Sequence, residues 1–223
     1  MFKKLFMLFK IGRKLSTSGA ITSIYEIYNP PIAIKILFFV IGFNINDKKI
    51  NSSLSAGAKL CNALQEMGTT FIKLGQFLAT RPDIIGENVS KELEKLQDKL
   101  PAFNLIVARN ILKKELGKEN FEQFTNISEP AAAASIAQVH FANINISGKK
   151  KDVAIKILRP DIENIFNEEL DALMLLAYIA QSIVKKTKRL KLVEVVQLLR
   201  EITNVEMDLR FEAAAANELY ENT

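Results

Sequence analysis

Residues Glu129 to Lys156 read EPAAAASIAQVHFANINISGKKKDVAIK, and the reading of this stretch decides the fold. Its second half runs on to Leu158 as DVAIKIL, in which Val153, Ile155 and Ile157 alternate with Ala154, Lys156 and Leu158. A period of two is that of a β-strand, whose successive side chains point to opposite faces, so Lys156 projects from one face. Ser147-Gly148, followed by three lysines, is a turn that folds this strand back onto Ile136 to Ile146 as a hairpin. Taken alone, the same pattern also fits a half-buried strand whose lysine snorkels to water.

At the head of the hairpin sit Ala131, Ala132, Ala133, Ala134 and Ser135. Glycines at such a place let backbone N–H groups close over a phosphate, whereas the Cβ of alanine makes positive φ cost roughly 1 kcal/mol or more per residue. The expectation is a loop stiffer and differently shaped from a glycine-rich one. A helix start is the other reading, since alanine has the best helix propensity and Pro130 suits a first helical position.

Outward from this stretch, 223 residues with 48% hydrophobic content suffice for one or two small domains with a core, which excludes a disordered chain. The single cysteine, Cys61, rules out an internal disulfide and a cysteine-rich metal site, and its setting KLCNALQEM is that of a core thiol. The single histidine, His140, has no second histidine or cysteine with which to form a metal site or a nucleophile dyad, and is read as structural. The net charge is +5, yet the lysines do not interleave with aromatics and no recognition motif appears, so nucleic acid is not the expected partner.

The charge is uneven. Lys3, Lys4, Lys10, Arg13 and Lys14 precede the first acid, Glu26, and alternate with Phe2, Leu5, Phe6, Leu8, Phe9, Ile11 and Leu15. At helical spacing this gives an apolar stripe beside a cationic one, suited to an anionic membrane surface. A cleaved signal peptide competes with that reading, but Lys10 interrupts the apolar run and no small-residue cleavage site follows directly. IAIKILFFVIGF, from Ile32 to Phe43, is shorter than the about 20 residues of a spanning helix and is read as interfacial or core.

From Asn51 to Gly117 the pattern is helical, with Ser52 or Ser53 as a cap and Gly68, Arg81-Pro82, Gly86, Pro101 and Gly117 as punctuation. Within it lies TTFIKLGQFLATRPDIIG. If Thr69 to Thr80 is a helix, Phe71, Leu74 and Phe77 or Leu78 form its buried stripe, while Lys73, Gln76 and Thr80 share another face. Gly75 costs that helix about 1 kcal/mol relative to alanine, and its lack of a side chain would let a backbone or a ligand approach Lys73 and Gln76. An amphipathic helix with a solvated polar face has the same pattern.

After Arg159-Pro160 two long helical patterns follow, about Ile162 to Lys186 and Leu190 to Tyr220. The second holds Glu206, Asp208 and Glu212. Two helical residues advance about 200° and four about 40°, so on one unbroken helix Asp208 and Glu212 share a face that Glu206 does not. An ordinary solvated pair, Glu206 with Arg210, is the alternative.

Val-Ala-Ile-Lys is the signature of the kinase strand whose lysine pairs the ATP phosphates and a helix glutamate. EPAAAASIAQVH followed by VAIKILRP, with KLGQFLATRPD ahead and NVEMDLRFEAAAANELYEN behind, resembles the UbiB/ABC1/ADCK family of atypical kinase-like proteins, in which an alanine-rich loop replaces the glycine-rich one. The likeness runs from about Ser55 to Asn222. It implies that Ala132, Ala133, Ala134, Ser135 and Lys156 contact ATP or ADP, and that Lys73, Gly75 and Gln76, the Lys-x-Gly-Gln motif, sit over the nucleotide pocket. It further implies that Glu212 pairs with Lys156, with Glu168 or Glu169 as alternatives, and that Glu206 or Asp208 of the Glu-x-Asp segment engages Lys73.

A phosphoryl-transfer site of this kind also needs a catalytic-loop aspartate, an asparagine and the aspartate of Asp-Phe-Gly, the last two to hold Mg²⁺. None of those motifs occurs in the sequence, so weak nucleotide binding is expected, with Mg²⁺ only if a second chain supplies ligands, and no metal site within this one. The expected fold is α+β: a kinase-like small lobe with a short antiparallel sheet, preceded by a helical insert, mostly helical overall. The expected division is a basic membrane-surface segment over 1–50, the insert over 51–120 and the small lobe over 121–223, with the large lobe absent. The resemblance implies a place in ubiquinone or other isoprenoid-lipid synthesis, peripheral on the cytoplasmic face of a membrane. The partners it implies are pathway proteins and a downstream chain carrying the large lobe. A non-catalytic protein that binds membrane or a partner through its helices is the alternative.

Overall fold

Strand alternation runs through both halves of the hairpin in the computed structural model, which describes residues 2–28, 32, 35–36, 54–96, 100–146, 148–183 and 189–222. The described residues are mostly helical with one four-stranded antiparallel sheet, the α+β class read from the sequence. They form two compact units, residues 98–162 and residues 1–97 together with 163–223. These units are cut differently from a division at 50 and 120.

The smaller unit holds β1 (Phe124–Thr125), β2 (Pro130–Ala133), β3 (Ala137–Ile146) and β4 (Lys149–Leu158). β4 pairs with β3 along its whole length, from Ala137↔Leu158 to Ile146↔Lys149, and β1 and β2 share the opposite edge of β3. The three lysines therefore belong to the strand, not to the turn. Only Ser147-Gly148 connects the strands, and Gly148 supplies the left-handed backbone such a short connection needs, at φ 77°.

The alanine run is neither a helix start nor an open loop. It is β2, with Ala132 opposite Val139, Ala133 opposite Gln138, and a register shift between Pro130 and Ala132. Pairing with β3 overrides alanine's helix propensity, and proline is tolerated as the first residue of an edge strand. No residue from Glu129 to Ile136 has positive φ, so the turn that closes β2 onto β3 needs no glycine.

Cross-strand partners share a face, so the register sorts the sheet. Gln138, His140 and Ala142 stand with Ile157, Ile155 and Val153 on the face that packs on α7 (Leu105–Phe121), whose Ala108 and Leu112 are buried there. Asn104 caps that helix by accepting from Ile106 N at 2.7 Å. His140 is fully buried, its Nδ1 2.8 Å from the Ser128 carbonyl and its Nε2 2.8 Å from Gln138 Nε2. A carbonyl only accepts, so Nδ1 carries the proton and Nε2 accepts from the glutamine. Gln138 also bonds both backbone groups of Phe103, at 2.9 and 3.1 Å, which makes the histidine part of a structural brace.

The larger unit begins with α1 (Phe2–Thr17) and α2 (Ala20–Tyr28), then α3 (Ala56–Met67), α4 (Thr69–Ala79), α5 (Pro82–Ile85) and α6 (Glu87–Leu93). After the sheet come α8 (Ile162–Ile183), α9 (Leu192–Met207) and α10 (Leu209–Glu221). The cap of α3 is Ser55, which accepts from Ala58 N at 3.1 Å; Ser52 and Ser53 lie outside the described residues. The basic first helix is not a free membrane stripe. Its Met7, Leu8 and Ile11 enter the core with Leu60, Leu64, Met67 and Phe71, while Phe6 and Phe9 stay 71% and 50% exposed. The side chains of the first five residues, and most of Ile32 to Phe43, lie outside the described residues.

On α4 the buried side chains are Thr70, Phe71, Ile72, Gly75 and Ala79; Leu74, Phe77 and Leu78 are only half-buried. Phe71 is in the core as expected and Leu74 and Leu78 pack against it, but the buried set is wider than the expected stripe and includes Gly75. A Cβ at that position would lie 2.2 Å from Leu96 Cδ1 and 2.9 Å from Leu64 Cδ1, so two leucines fill the place read from sequence as an approach for a ligand. Gly75→Val is expected to destabilise the protein by on the order of 2 kcal/mol through overpacking. Urea unfolding measures it, and an unchanged midpoint would contradict this packing.

Candidate functional site

In the smaller unit the face of the sheet opposite α7 is open. Val139 and Lys156 are cross-strand partners there, Phe141 and Ala154 are the next pair, and Ala132 stands beside Val139. Lys156, Ala154 and Ala132 are exposed, and Phe141 keeps 61% of its surface in solvent. A cation thus rises from an apolar floor, with the alanine turn at one end. Asn143 and Asp152, the next pair along, are joined by a side-chain hydrogen bond.

The turn is held from behind. Ala134 N donates to the Ala137 carbonyl at 2.8 Å, and the Ala134 carbonyl accepts from Arg159 Nε at 3.0 Å and Nη2 at 2.7 Å. The same guanidinium reaches the carbonyls of Pro101 at 3.0 Å and Leu100 at 3.3 Å, and Arg159 N donates to the Ile136 carbonyl at 2.9 Å. Arginine's rigid fork suits this multiple grip. Ser135 is fully buried beneath the turn, so its side chain is not on the surface that Lys156 shares.

In the larger unit Lys73 and Glu206 come together, Nζ to Oε2 at 2.9 Å, with 14% and 37% of their side chains exposed. Gln76 and Gly75 follow on the same helix. Asp208 does something else. The single helix expected from Leu190 to Tyr220 breaks at this residue (φ −85°, ψ 88°), which caps α10 by accepting from Arg210 N at 3.1 Å. Its carboxylate also takes the Arg210 fork at 2.7 and 2.5 Å, so Arg210 pairs with Asp208 instead of Glu206. The break voids the wheel argument that put Asp208 and Glu212 on one face. Glu212 lies exposed in the first turn of α10.

Asp208 lines an open polar cleft with Glu163, Asn167, Asn204, Met207 and Arg210. Glu169, one alternative partner for Lys156, is buried with its Oε1 3.5 Å from Lys14 Nζ. Among the described residues no group of three or more histidine, cysteine, aspartate or glutamate side chains could hold a metal ion. Sequence reasoning missed Val139, Phe141 and Ala154, which the strand period places beside Lys156 once the register is known. It also missed Arg159, read only as a stop signal.

Residues 95–223 match the ABC1 atypical kinase-like domain. "Probable protein kinase UbiB" of Marinobacter nauticus is 37% identical over 193 residues, which cover 86% of this chain and 34% of that relative. The protein of the same name from Pseudomonas fluorescens is 38% identical over 170 residues, 76% of this chain and 31% of the relative. The one from Aeromonas salmonicida is 33% identical over 222 residues, 99% and 39%. The chain therefore spans about a third of the length of these relatives. No solved structure matches it.

Two measurements bear on this geometry. A double-mutant cycle on Lys73→Ala and Glu206→Ala is expected to give a coupling of about 0.5–1 kcal/mol, reduced at high salt, as for a partly exposed pair; zero coupling would remove the pair. The Arg210 guanidinium holds the Asp208 carboxyl below the usual carboxylate range. A lowered folded value means that Asp208's contribution is complete above the unfolded value of about 3.9 and is lost as pH falls through the folded one. The amide signals of α10 should therefore move on acidification below that range, and Asp208→Asn should flatten the response.

Proposed function

Because this chain belongs to the ABC1 atypical kinase-like family, we propose that it is the nucleotide-handling amino-terminal part of a UbiB-like atypical kinase or ATPase that serves ubiquinone or another isoprenoid-lipid pathway. The observation that carries the reading is the open sheet face. Lys156 stands there across from Val139, beside a turn whose backbone Arg159 holds in place.

In this reading ATP or ADP lies on that face. Its phosphates meet Lys156 and the backbone of the Ala132–Ser135 segment, and its base meets the apolar floor of Val139 and Ala154. Lys156 neutralises phosphate charge, and the Lys73–Glu206 pair fixes the helix that carries Gln76. Mg²⁺ would be held only where residues beyond these supply its ligands, and would there add to the charge neutralisation that Lys156 provides. Binding a nucleotide equally well in ground and transition states does not speed its reaction, so the chain alone binds but does not turn over.

A membrane surface is the second partner. Phe6 and Phe9 are exposed on α1 beside exposed Lys10 and Arg13, and Ile32 and Ile36 are 75% and 58% exposed. Apolar insertion and attraction to anionic headgroups add, which supports a peripheral position on a membrane, in this reading its cytoplasmic face. No described helix is long and apolar enough to cross a membrane.

In an NMR titration of 1–223 with millimolar ATP, signals of Val139, Ala154 and Lys156 are expected to shift, with affinity falling at least tenfold in Lys156→Ala. Absence of shifts would sink the nucleotide reading, and Lys156-dependent hydrolysis by residues 1–223 alone would overturn the need for residues beyond these. Vesicle binding should fall several-fold in the double variant Phe6→Ser, Phe9→Ser and weaken with salt. This pair is the right probe because removing the whole segment would strip Met7, Leu8 and Ile11 from the core. Undiminished flotation with anionic vesicles would end the membrane proposal.

A further inference from the structure

The hairpin of β3 and β4 runs on past the rest of its sheet. β1 pairs with β3 only as far as Phe124↔Ile144, and just beyond it Asn145 N donates to the Gln123 carbonyl at 3.1 Å. The last two cross-strand pairs, Asn145↔Lys150 and Ile146↔Lys149, form the tip. Ile146 keeps 46% of its surface in solvent, and Lys149, Lys150 and Lys151 are exposed. Cross-strand partners share a face, so Lys149 and Lys151 stand with Ile146 and Ile144, and Lys150 stands with Asn145 on the other side. The tip thus shows a bare isoleucine among cations that project from both faces.

Among the described residues none of these three lysines joins an ion pair. Lysines on an outer strand also discourage edge pairing, but that duty calls for charge spread along the strand, whereas these occupy the first three positions of β4. Asp152, the first acid on β4, is taken up by Asn143. Glu119 and Glu122 line an open cleft beside Gly148, where Glu122 Oε1 lies 3.9 Å from Lys118 Nζ. Lys118 and the three tip lysines therefore outnumber the acids at this end. Nucleic acid is disfavoured, since no aromatic residue lies between Ala142 and Leu158 for a base to stack on. An anionic lipid surface fits in depth as well as in charge. A strand rises about 3.4 Å per residue, so Lys149 to Lys151 span about 7 Å, and the boundary between headgroups and acyl chains takes apolar groups to a depth of about 5–10 Å. Entered end-on, Ile146 reaches the acyl boundary while the long lysine stems let the three ammonium groups stay among the phosphates.

We propose that the tip of the β3–β4 hairpin, Ile146 with Lys149, Lys150 and Lys151, is a membrane-contact element that enters an anionic lipid surface end-on. It deepens the reading of a membrane partner given above, but it lies in the smaller unit and is a contact separate from the α1 face. Each lysine near such a surface raises partitioning about fivefold, so the three together give on the order of a hundredfold. Glu119 and Glu122 act against that attraction, and their charge sets how negative the surface must be before the tip enters it.

The test floats residues 1–223 with vesicles of phosphatidylglycerol and phosphatidylcholine, and with phosphatidylcholine alone. Binding to the mixed vesicles is expected to fall at least tenfold when Lys149→Gln, Lys150→Gln and Lys151→Gln are combined, and several-fold in Ile146→Ser. It should rise in Glu119→Gln with Glu122→Gln, and the melting temperature should stay unchanged throughout, since these side chains are exposed. A polarity-sensitive dye on Ile146→Cys, in a Cys61→Ser background, should shift to the blue on the mixed vesicles only, whereas the same dye on Asn110→Cys of α7 should not. Full binding by the triple lysine variant, or an unshifted dye at position 146 in protein that floats, would overturn the proposal. So would lysine-dependent binding of RNA tighter than that of vesicles, which would make nucleic acid the occupant. Comparison with Phe6→Ser, Phe9→Ser separates the two contacts. Loss of binding in that variant with inert tip variants defeats the tip alone, loss in the tip variants only defeats the α1 contact alone, and no flotation of the unaltered protein defeats both.

Discussion

The pairing of β3 with β4 is the constraint on which the smaller unit depends. Ten cross-strand partners in unbroken register send Val153, Ile155 and Ile157 onto α7 and Lys156 to the other side. A slip of one residue would bury the lysine and expose three β-branched side chains, so the burial of those three fixes where the cation stands. The two-residue connection with Gly148 at positive φ leaves no slack for such a slip. On the other flank the Gln138–His140 brace ties the same strand to Phe103 and Ser128. Position at the open face is thus set by apolar packing behind it.

The larger unit reaches precision by different means. Gly75 lets Leu96 and Leu64 close on α4, where Phe71 and Ala79 are buried beside it and Lys73 stands at the edge of the core. The break at Asp208 ends α9 at Met207, whose burial anchors the last turn, and the carboxylate is taken up by Arg210. Glu206 is thereby the acid of the pair that meets Lys73. Two neighbouring acids, alike in sequence, have separate duties: one bridges helices and the other starts a new one.

Much of this was legible because it rests on period and spacing. The strand that carries Lys156, the hairpin and the helical character of the flanks follow from alternation and turn residues. The alanine run was ambiguous, since helix propensity and strand pairing favour opposite outcomes for it and only β3 decides. The stripe of α4 was legible in part: Phe71, Leu74 and Leu78 pack in or on the core, but hydrophobicity ranks leucine and phenylalanine above glycine, whereas close packing put Gly75 inside as well. The first helix was read as one apolar stripe, but Leu8 and Ile11 serve the core while Phe6 and Phe9 do not, a division that needs the neighbouring helices to be known. The break at Asp208 carries no glycine or proline to announce it. Arg159 looked like the end of a strand, and its contacts lie far away in sequence.

Those contacts give the smaller unit a closed outline. Arg159 stands near its last residue and grips the carbonyls of Leu100 and Pro101 near its first. The place where the chain enters the unit and the place where it leaves are therefore tied by one side chain. For the helices before and after it in sequence, residues 98–162 amount to a long loop whose mouth is already shut. The entropic cost of such a loop rises by only about 0.6 kcal/mol for each doubling of its length, and a mouth held by its own hydrogen bonds keeps that cost from falling on the helices. The nested unit is in this sense a portable module: a sheet that can be lengthened, trimmed or exchanged at its far end without disturbing the seam through which it joins the rest of the chain.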